Sequence, residues 1–267
     1  MLRRLQKIVG FKAEGTDGEV GEARDLYFDD QEWVVRYFVV ETGPWLARKW
    51  VLIAPACMGA PDWEAERLSV GLTKQQVADS PDIDLHKPVS RQQLQSLHGH
   101  YGWAAYWGDG EMGYWPPARL ASPAEQKEEP KGDPHLRSVN EVTGYHIQAT
   151  DGDIGHVVDL FADDGTWRIE YMVVDTRNWL PGKQVIVSPD WISKVSWAER
   201  KVHVNVTRAK VKDSPEFDPL PGTCSRDYEV GLYGHYGFAC PPRWTEPIKP
   251  SAACDLAQQA SGSPEPG

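Results

Sequence analysis

A chain of 267 residues has room for two modest domains. Its 28 Lys and Arg against 39 Asp and Glu leave a net charge of −11, which argues against a nucleic-acid backbone or an anionic lipid surface as the direct partner, since both need clustered cations. Hydrophobic content of 40% and charge of 25% are ordinary for a soluble globular protein, no apolar run approaches the ~18 residues of a membrane span, and MLRRLQKIVGF lacks the apolar core of a signal peptide, so a cytoplasmic location is expected.

In chain order, Ile8–Glu14 reads as a first strand, turned at Asp17-Gly18, and Glu19–Phe28 as the second. Gly21 lies inside that second strand, where a missing side chain usually marks a bulge or a close backbone approach. A polar turn at Asp29-Asp30 leads to Trp33–Val40. Its alternation puts Trp33, Val35, Tyr37 and Val39 on one face, which must point inward. Lys49–Cys57 and Arg67–Leu72 supply two more strands. Thr73 then offers a hydroxyl to cap a short helix that Pro81 stops.

The whole series then occurs again. TDGEVGEARDLYFDD from Thr16 is answered by TDGDIGHVVDLFADD from Thr150, an offset of 134 residues that holds without a gap from Ile8/Val142 to Asp84/Asp218. Of these 77 pairs 27 are identical, where random pairing would give roughly 5. One inserted residue shifts the offset to 135, and SRQQLQSLHGHYGW from Ser90 matches SRDYEVGLYGHYGF from Ser225. A period this long is a duplicated domain rather than a solenoid unit. The first copy covers Met1–Leu120. Ala121–Ser138, rich in Pro and charge, reads as a linker, and Val139–Trp244 is the second copy. Residues 245–267 have little to bury and read as a disordered tail. Each copy is expected to be a small curled sheet or barrel with one short helix, folding as a unit of its own.

Each copy resembles the PRC-barrel family. The resemblance rests on TDGEVGEARDLYFDD, WVVRYFVVET, KWVLIAP and TKQQVADSP, and on TDGDIGHVVDLFADD, WRIEYMVVDT, KQVIVSP and TRAKVKDSP, about 75 residues of each copy in the same order and spacing. It implies a mainly β fold of two tandem PRC-type barrels. It also implies a non-enzymatic adaptor that docks on other proteins, as in the cytoplasmic domain of the photosynthetic reaction-centre H subunit or the C-terminal domain of ribosome-maturation factors. A membrane-associated electron-transfer complex is the favoured partner by that likeness, with a peripheral position at the inner membrane through the partner. A ribosomal protein, in ribosome or RNA maturation, is the alternative. The chain departs from the H subunit in lacking an N-terminal membrane helix and in carrying two copies.

No GxSxG, HExxH or P-loop pattern occurs, and no enzyme activity, cofactor or metal is expected. Cys57, Cys224, Cys240 and Cys254 have no twins between the copies, which argues against a disulfide framework or a zinc site. The twinned acids Asp25/Asp159 and Asp29-Asp30/Asp163-Asp164 read as turn chemistry. His98, His100 and His235 are weak metal candidates, and a His-based sensor is a further alternative function. His98 and His100 would share one side of an extended segment, but Tyr233 replaces His98 in the second copy. The aromatic residues Trp103, Tyr106, Trp107, Tyr114, Trp115, Tyr236, Phe238 and Trp244 are candidates either for covering an open barrel end or for anchoring a protein partner.

Overall fold

The computed structural model describes residues 1–46, 48–81, 83, 91–103, 135–176, 183–215, 217 and 225–242. The first copy contains β1 (Leu2–Arg4), β2 (Lys12–Gly15), β3 (Gly18–Asp29), β4 (Val34–Thr42), β5 (Trp50–Ile53), β6 (Arg67–Ser69), α1 (Lys74–Ala78) and α2 (Arg91–Tyr101). The second contains β7 (Leu136–Ser138), α3 (Val139–Val142), β8 (His146–Ala149), β9 (Gly152–Asp163), β10 (Ile169–Asp175), β11 (Gln184–Val187), β12 (Ile192–Ser196), β13 (Lys201–Val204), α4 (Arg208–Lys212) and α5 (Arg226–Tyr236). The protein is mainly β, in two sheets. One runs β5-β4-β3-β2-β6 and the other β11-β10-β9-β8-β13-β12, and among the described residues neither closes into a barrel.

Local chemistry explains the hairpins. Gly15 pairs with Gly18 and Ala149 with Gly152 around two-residue loops, and Gly18 and Gly152 take positive φ of 124° and 147°. The loop acids Asp17 and Asp151 accept hydrogen bonds from Lys74 N and Arg208 N, so each hairpin also anchors the start of α1 or α4. Thr73 caps α1 in a reciprocal box with Gln76, and Thr207 accepts from Lys210 N at the start of α4. At Gly21 a Cβ would stand 2.1 Å from Glu41 O, and at Gly155 2.0 Å from Asp175 O. Each is the close backbone approach that glycine alone permits.

The central finding is that the copies exchange strands. β1 precedes the first copy's sheet in sequence but pairs with β9 of the second, Leu2 opposite Asp163 and Arg4 opposite Phe161. β7 precedes the second copy's sheet but pairs with β3 of the first, Tyr27 opposite Ser138 and Asp29 opposite Leu136. Twin residues also meet one another. Gln6 Nε2 donates to Asn140 Oδ1 at 3.0 Å. Val35 N donates to Trp167 O and Ile169 N to Trp33 O, at 2.9 and 2.7 Å. A residue that meets its own equivalent, and a pair of bonds repeated with the halves interchanged, define a two-fold relation, so the halves are arranged as an internal dimer.

The twinned acids hold this exchange. Asp25 accepts from Ser138 Oγ and from Asn140 N, and Asp159 accepts from Gln6 N. Burial, only partly offset by these bonds, raises both carboxyls above the usual range. Asp29 and Asp163 do make turn bonds, to Gln31 N and Glu32 N and to Gly165 N and Thr166 N. Asp30 and Asp164 do something else: they take Arg137 Nε at 3.0 Å and Arg3 Nε at 3.2 Å. Each of these guanidinium groups lies at the same time over a Trp ring of its own copy, Arg137 over Trp197 at 4.1 Å and Arg3 over Trp63 at 4.8 Å. Each Arg is thus a clasp between halves. Arg137→Ala is expected to cost about 1.5–3 kcal/mol, because a charge-assisted bond to a largely buried carboxylate is lost. Arg137→Lys should recover little of it, lacking the planar fork that both bonds and stacks. Denaturant unfolding of the two variants measures the difference.

Several expectations need correcting. The last residues of the segment read as a linker, Leu136–Ser138, are β7, because the open edge of β3 offers backbone partners that no local pattern reveals. The first strand, expected over Ile8–Glu14, begins only at Lys12, and Ile8 instead closes a short 3-10 turn over Leu5–Ile8. Trp33 and Trp167 are buried as expected but precede their strands, at positive φ of 54° and 58°, where the chain bends toward the other half. Each copy also carries a second helix, α2 and α5, beyond the single short one expected. Cys57 is disulfide-bonded, although the unmatched cysteines argued against a disulfide framework. The proposed boundary at residue 120 and the tail at 245–267 lie outside the described residues.

Candidate functional site

The place where the copies differ most in chemistry is the contact between the last helix and the sheet. α2 and α5 are helical although Gly and aromatic residues crowd both. Ser225 accepts from Tyr228 N at the start of α5, and Gly237, at φ 84°, closes its end in the left-handed region. Ser90 and Gly102 are the sequence equivalents around α2, and Gly102 has φ 67°. These start and stop residues are the sequence signals that could have revealed both helices.

The helical state separates His98 from His100. Two residues apart on a helix point to different sides, whereas an extended segment would have aligned them. His98 is buried and shares a hydrogen bond of 2.5 Å with the Tyr37 hydroxyl. His100 Nε2 lies 3.0 Å from Gln76 O, and its twin His235 Nε2 lies 2.7 Å from Lys210 O, so both fasten the last helix to the short one. Among the described residues no group of three or more His, Cys, Asp or Glu could hold a metal ion.

Of the aromatic candidates, Trp103 is buried, stacked on Tyr101 at 4.4 Å, with Nε1 directed at Cys57 Sγ at 3.2 Å. Tyr236 is buried against Trp191 at 4.5 Å, and the half-buried Phe238 stacks on Trp191 at 5.4 Å. The two copies solve one packing problem in opposite ways: Trp103 over Cys57 in the first, Phe238 over Trp191 in the second. Trp103 and Tyr236 are therefore engaged in intramolecular packing. Tyr106, Trp107, Tyr114, Trp115 and Trp244 lie outside the described residues.

Sequence reasoning missed a polar group found in the second copy alone. Tyr171, twin of Tyr37, donates to Glu229 Oε1 at 3.2 Å, and Arg226 Nη1 lies 3.4 Å from Glu229 Oε2. Glu229 is only 3% exposed, and its twin in the first copy is Leu94. Tyr233, twin of His98, donates to Asp190 Oδ2 at 3.1 Å and receives a hydrogen bond from Ser188 Oγ at 2.8 Å. Their equivalents in the first copy are Ala56 and Ala54. Glu170 completes the group, with Arg168 Nε 4.0 Å away. Burial, opposed by Arg168 and reinforced by Glu229, Asp190 and Asp163, pushes the Glu170 carboxyl up to about 7. The only sequence signal for these residues is the substitution of carboxylates and hydroxyls at positions that are Arg36, Ala54, Ala56 and Leu94 in the first copy.

No protein-family model matches the sequence, and no curated protein is detectably similar to it. Among the described residues no helix is long and apolar enough to cross a membrane.

Proposed function

We propose that the chain is a non-enzymatic adaptor or assembly module, of the tandem PRC-barrel kind, that binds another protein. One observation carries this reading. The twinned acids Asp25/Asp159 and Asp30/Asp164 are occupied in joining the halves, while a polar group with no counterpart in the first copy, Glu229, Tyr233, Asp190 and Ser188, lies between the last helix of the second copy and its sheet. Duplication has then supplied one scaffold with two differently dressed faces, which suits a protein that connects others. On the outer side of α5, Val230 is 51% exposed beside Gly231 and Gly234, over which a side chain would meet open space. The equivalent positions in the first copy are Gln95, Ser96 and Gly99. A flat apolar helix face allows close approach by a partner.

By its family likeness the favoured partner belongs to a membrane-associated electron-transfer complex, reaction-centre-like, with the adaptor cytoplasmic and peripheral at the inner membrane. The test is affinity capture from native membranes and cytosol with wild type and Val230→Lys. An exposed substitution should leave stability within about 0.5 kcal/mol. Loss of a contact at the centre of the surface should reduce partner recovery about tenfold, equivalent to about 1.4 kcal/mol. Equal recovery by both proteins would remove α5 from the binding surface. Recovery of ribosomal proteins instead of membrane components would favour the maturation alternative.

A further inference from the structure

We propose that the surface joining the halves also takes a second molecule of this chain. Two chains pair reciprocally, the first half of each with the second half of the other, into a dimer that contains every contact between halves twice. The surface consists of β1 against β9, β7 against β3, the Arg3–Asp164 and Arg137–Asp30 clasps, and the bonds that Asp25 and Asp159 accept across it. Each of these contacts joins a residue before position 104 to one after position 134. None of them requires that the two residues belong to one chain. Residues 104–134 connect the halves, and a segment of that length can reach up to roughly 100 Å. That is several times the radius of gyration of a 100-residue domain, about 13 Å, so the connection permits pairing between chains.

The surface also selects which half it takes. Arg3 and Arg137 are equivalent, as are Asp30 and Asp164, so the clasps alone would let each half face its own kind. Two other bonds oppose that. Gln6 Nε2 donates to Thr143 Oγ1 at 3.1 Å, and Arg168 Nη1 donates to Glu32 O at 3.3 Å. The equivalents of Thr143 and Arg168 in the first half are Val9 and Val34, whose side chains have no polar atom. Two first halves facing one another would lose both bonds, so unlike halves pair.

Concentration decides between monomer and dimer. Pairing within a chain is first-order and pairing between chains second-order, so the monomer prevails in dilute solution and the dimer grows with concentration. No new surface is needed, which makes exchange a low-cost route to a dimer. The dimer separates slowly once formed. Both strand pairs and both clasps must open, and the buried Asp25 and Asp159 must lose their partners across the surface.

Refolding of the full chain under reducing conditions, followed by size-exclusion chromatography with light scattering, tests the dimer. The ratio of dimer to monomer should rise about tenfold for each tenfold rise in protein concentration. The isolated dimer should keep its mass on dilution, and Val230→Lys should change neither result, which separates exchange from contact through the α5 face. Monomer alone at every concentration would overturn the proposal, as would a dimer that falls apart at once on dilution. Partner choice is tested with Asp30→Arg and Arg137→Asp, made in separate chains. Each sets like charges against one another in the monomer. Like-half pairing gives no relief, because the altered side chains would meet Arg3 or Asp164. In a reciprocal dimer of the two variants the altered side chains face each other with opposite charge, and the remaining Asp30 and Arg137 do the same. Co-refolding should therefore yield heterodimer in about tenfold excess over the dimer either variant forms alone, the equivalent of one charge-assisted bond. Heterodimer no more abundant than those homodimers would overturn reciprocal pairing.

Discussion

Expressed as separate chains, residues 1–120 and 135–242 will recombine into one heterodimer, and neither alone will match the stability of the intact protein. Alone, the first segment leaves Tyr27–Asp29 without the β7 strand and Asp25 without Ser138 and Asn140. The second loses β1 from Phe161–Asp163 and the Gln6 bond to Asp159. A buried polar group stripped of its partner costs about 1–3 kcal/mol. Two such losses, with a clasp arginine and a strand, are a large share of the roughly 5–15 kcal/mol that holds a domain. Size-exclusion chromatography and circular dichroism of the fragments, apart and mixed, measure the outcome. Two folded monomers that ignore each other and melt like the intact chain would show that the exchange contributes little. A second fragment begun at Val139 would lack β7 and so test the exchange in one direction only.

Trp167→Ala is expected to lower stability by about 3–5 kcal/mol, the usual cost of emptying a buried Trp site. The site is shared between halves: Trp167, 4% exposed, meets Phe38 of the first copy edge-on at 4.7 Å. Trp33 stacks on Phe28 of its own copy at 5.3 Å and passes its carbonyl to Ile169. Either substitution should therefore shift the melting of the whole protein, with no separate transition for one copy. The backbone adds a finer test. Holding a residue other than glycine in the left-handed region costs roughly 1–2 kcal/mol. Trp167→Gly should accordingly be less damaging than Trp167→Ala by about that amount, although it removes more atoms. Chemical denaturation of both variants decides this. If glycine proves as damaging as alanine, or worse, the left-handed turn is not strained.

The sequence made the duplication, the glycine approaches, the threonine caps and the inward Trp33 and Trp167 legible, because each depends on local geometry or on a repeated pattern. The exchange was not legible, because a three-residue strand has no pattern of its own and takes its identity from a distant edge. A trace was nonetheless present. The offset of 134 continues back from Ile8/Val142 to Arg3/Arg137 and Leu2/Leu136, ahead of where the strands were sought. For the aromatic residues the sequence left two roles open, and composition could not choose between them. Trp103 and Tyr236 have the composition of an interface, yet a Trp that fills a core and a Trp that anchors a partner are the same letter. The acids Glu170, Asp190 and Glu229 escaped because they are not repeated. Their signal was the substitution itself, three carboxylates where the other copy has Arg36, Ala56 and Leu94.

The exchange also imposes an order on biosynthesis. Arg3 leaves the ribosome 161 residues before Asp164, the residue that will hold it. At about 5–20 residues per second that is a wait of roughly 8–30 s, far longer than a small β domain needs to collapse. During translation the nascent first copy therefore carries an unfilled edge along Tyr27–Asp29 and a loose leading strand. An edge of that kind invites pairing with a neighbouring nascent chain on the same message. The tether between the copies answers the hazard. Once the second copy emerges, its pairing with the first is intramolecular, which favours it over pairing with neighbouring polysomal chains.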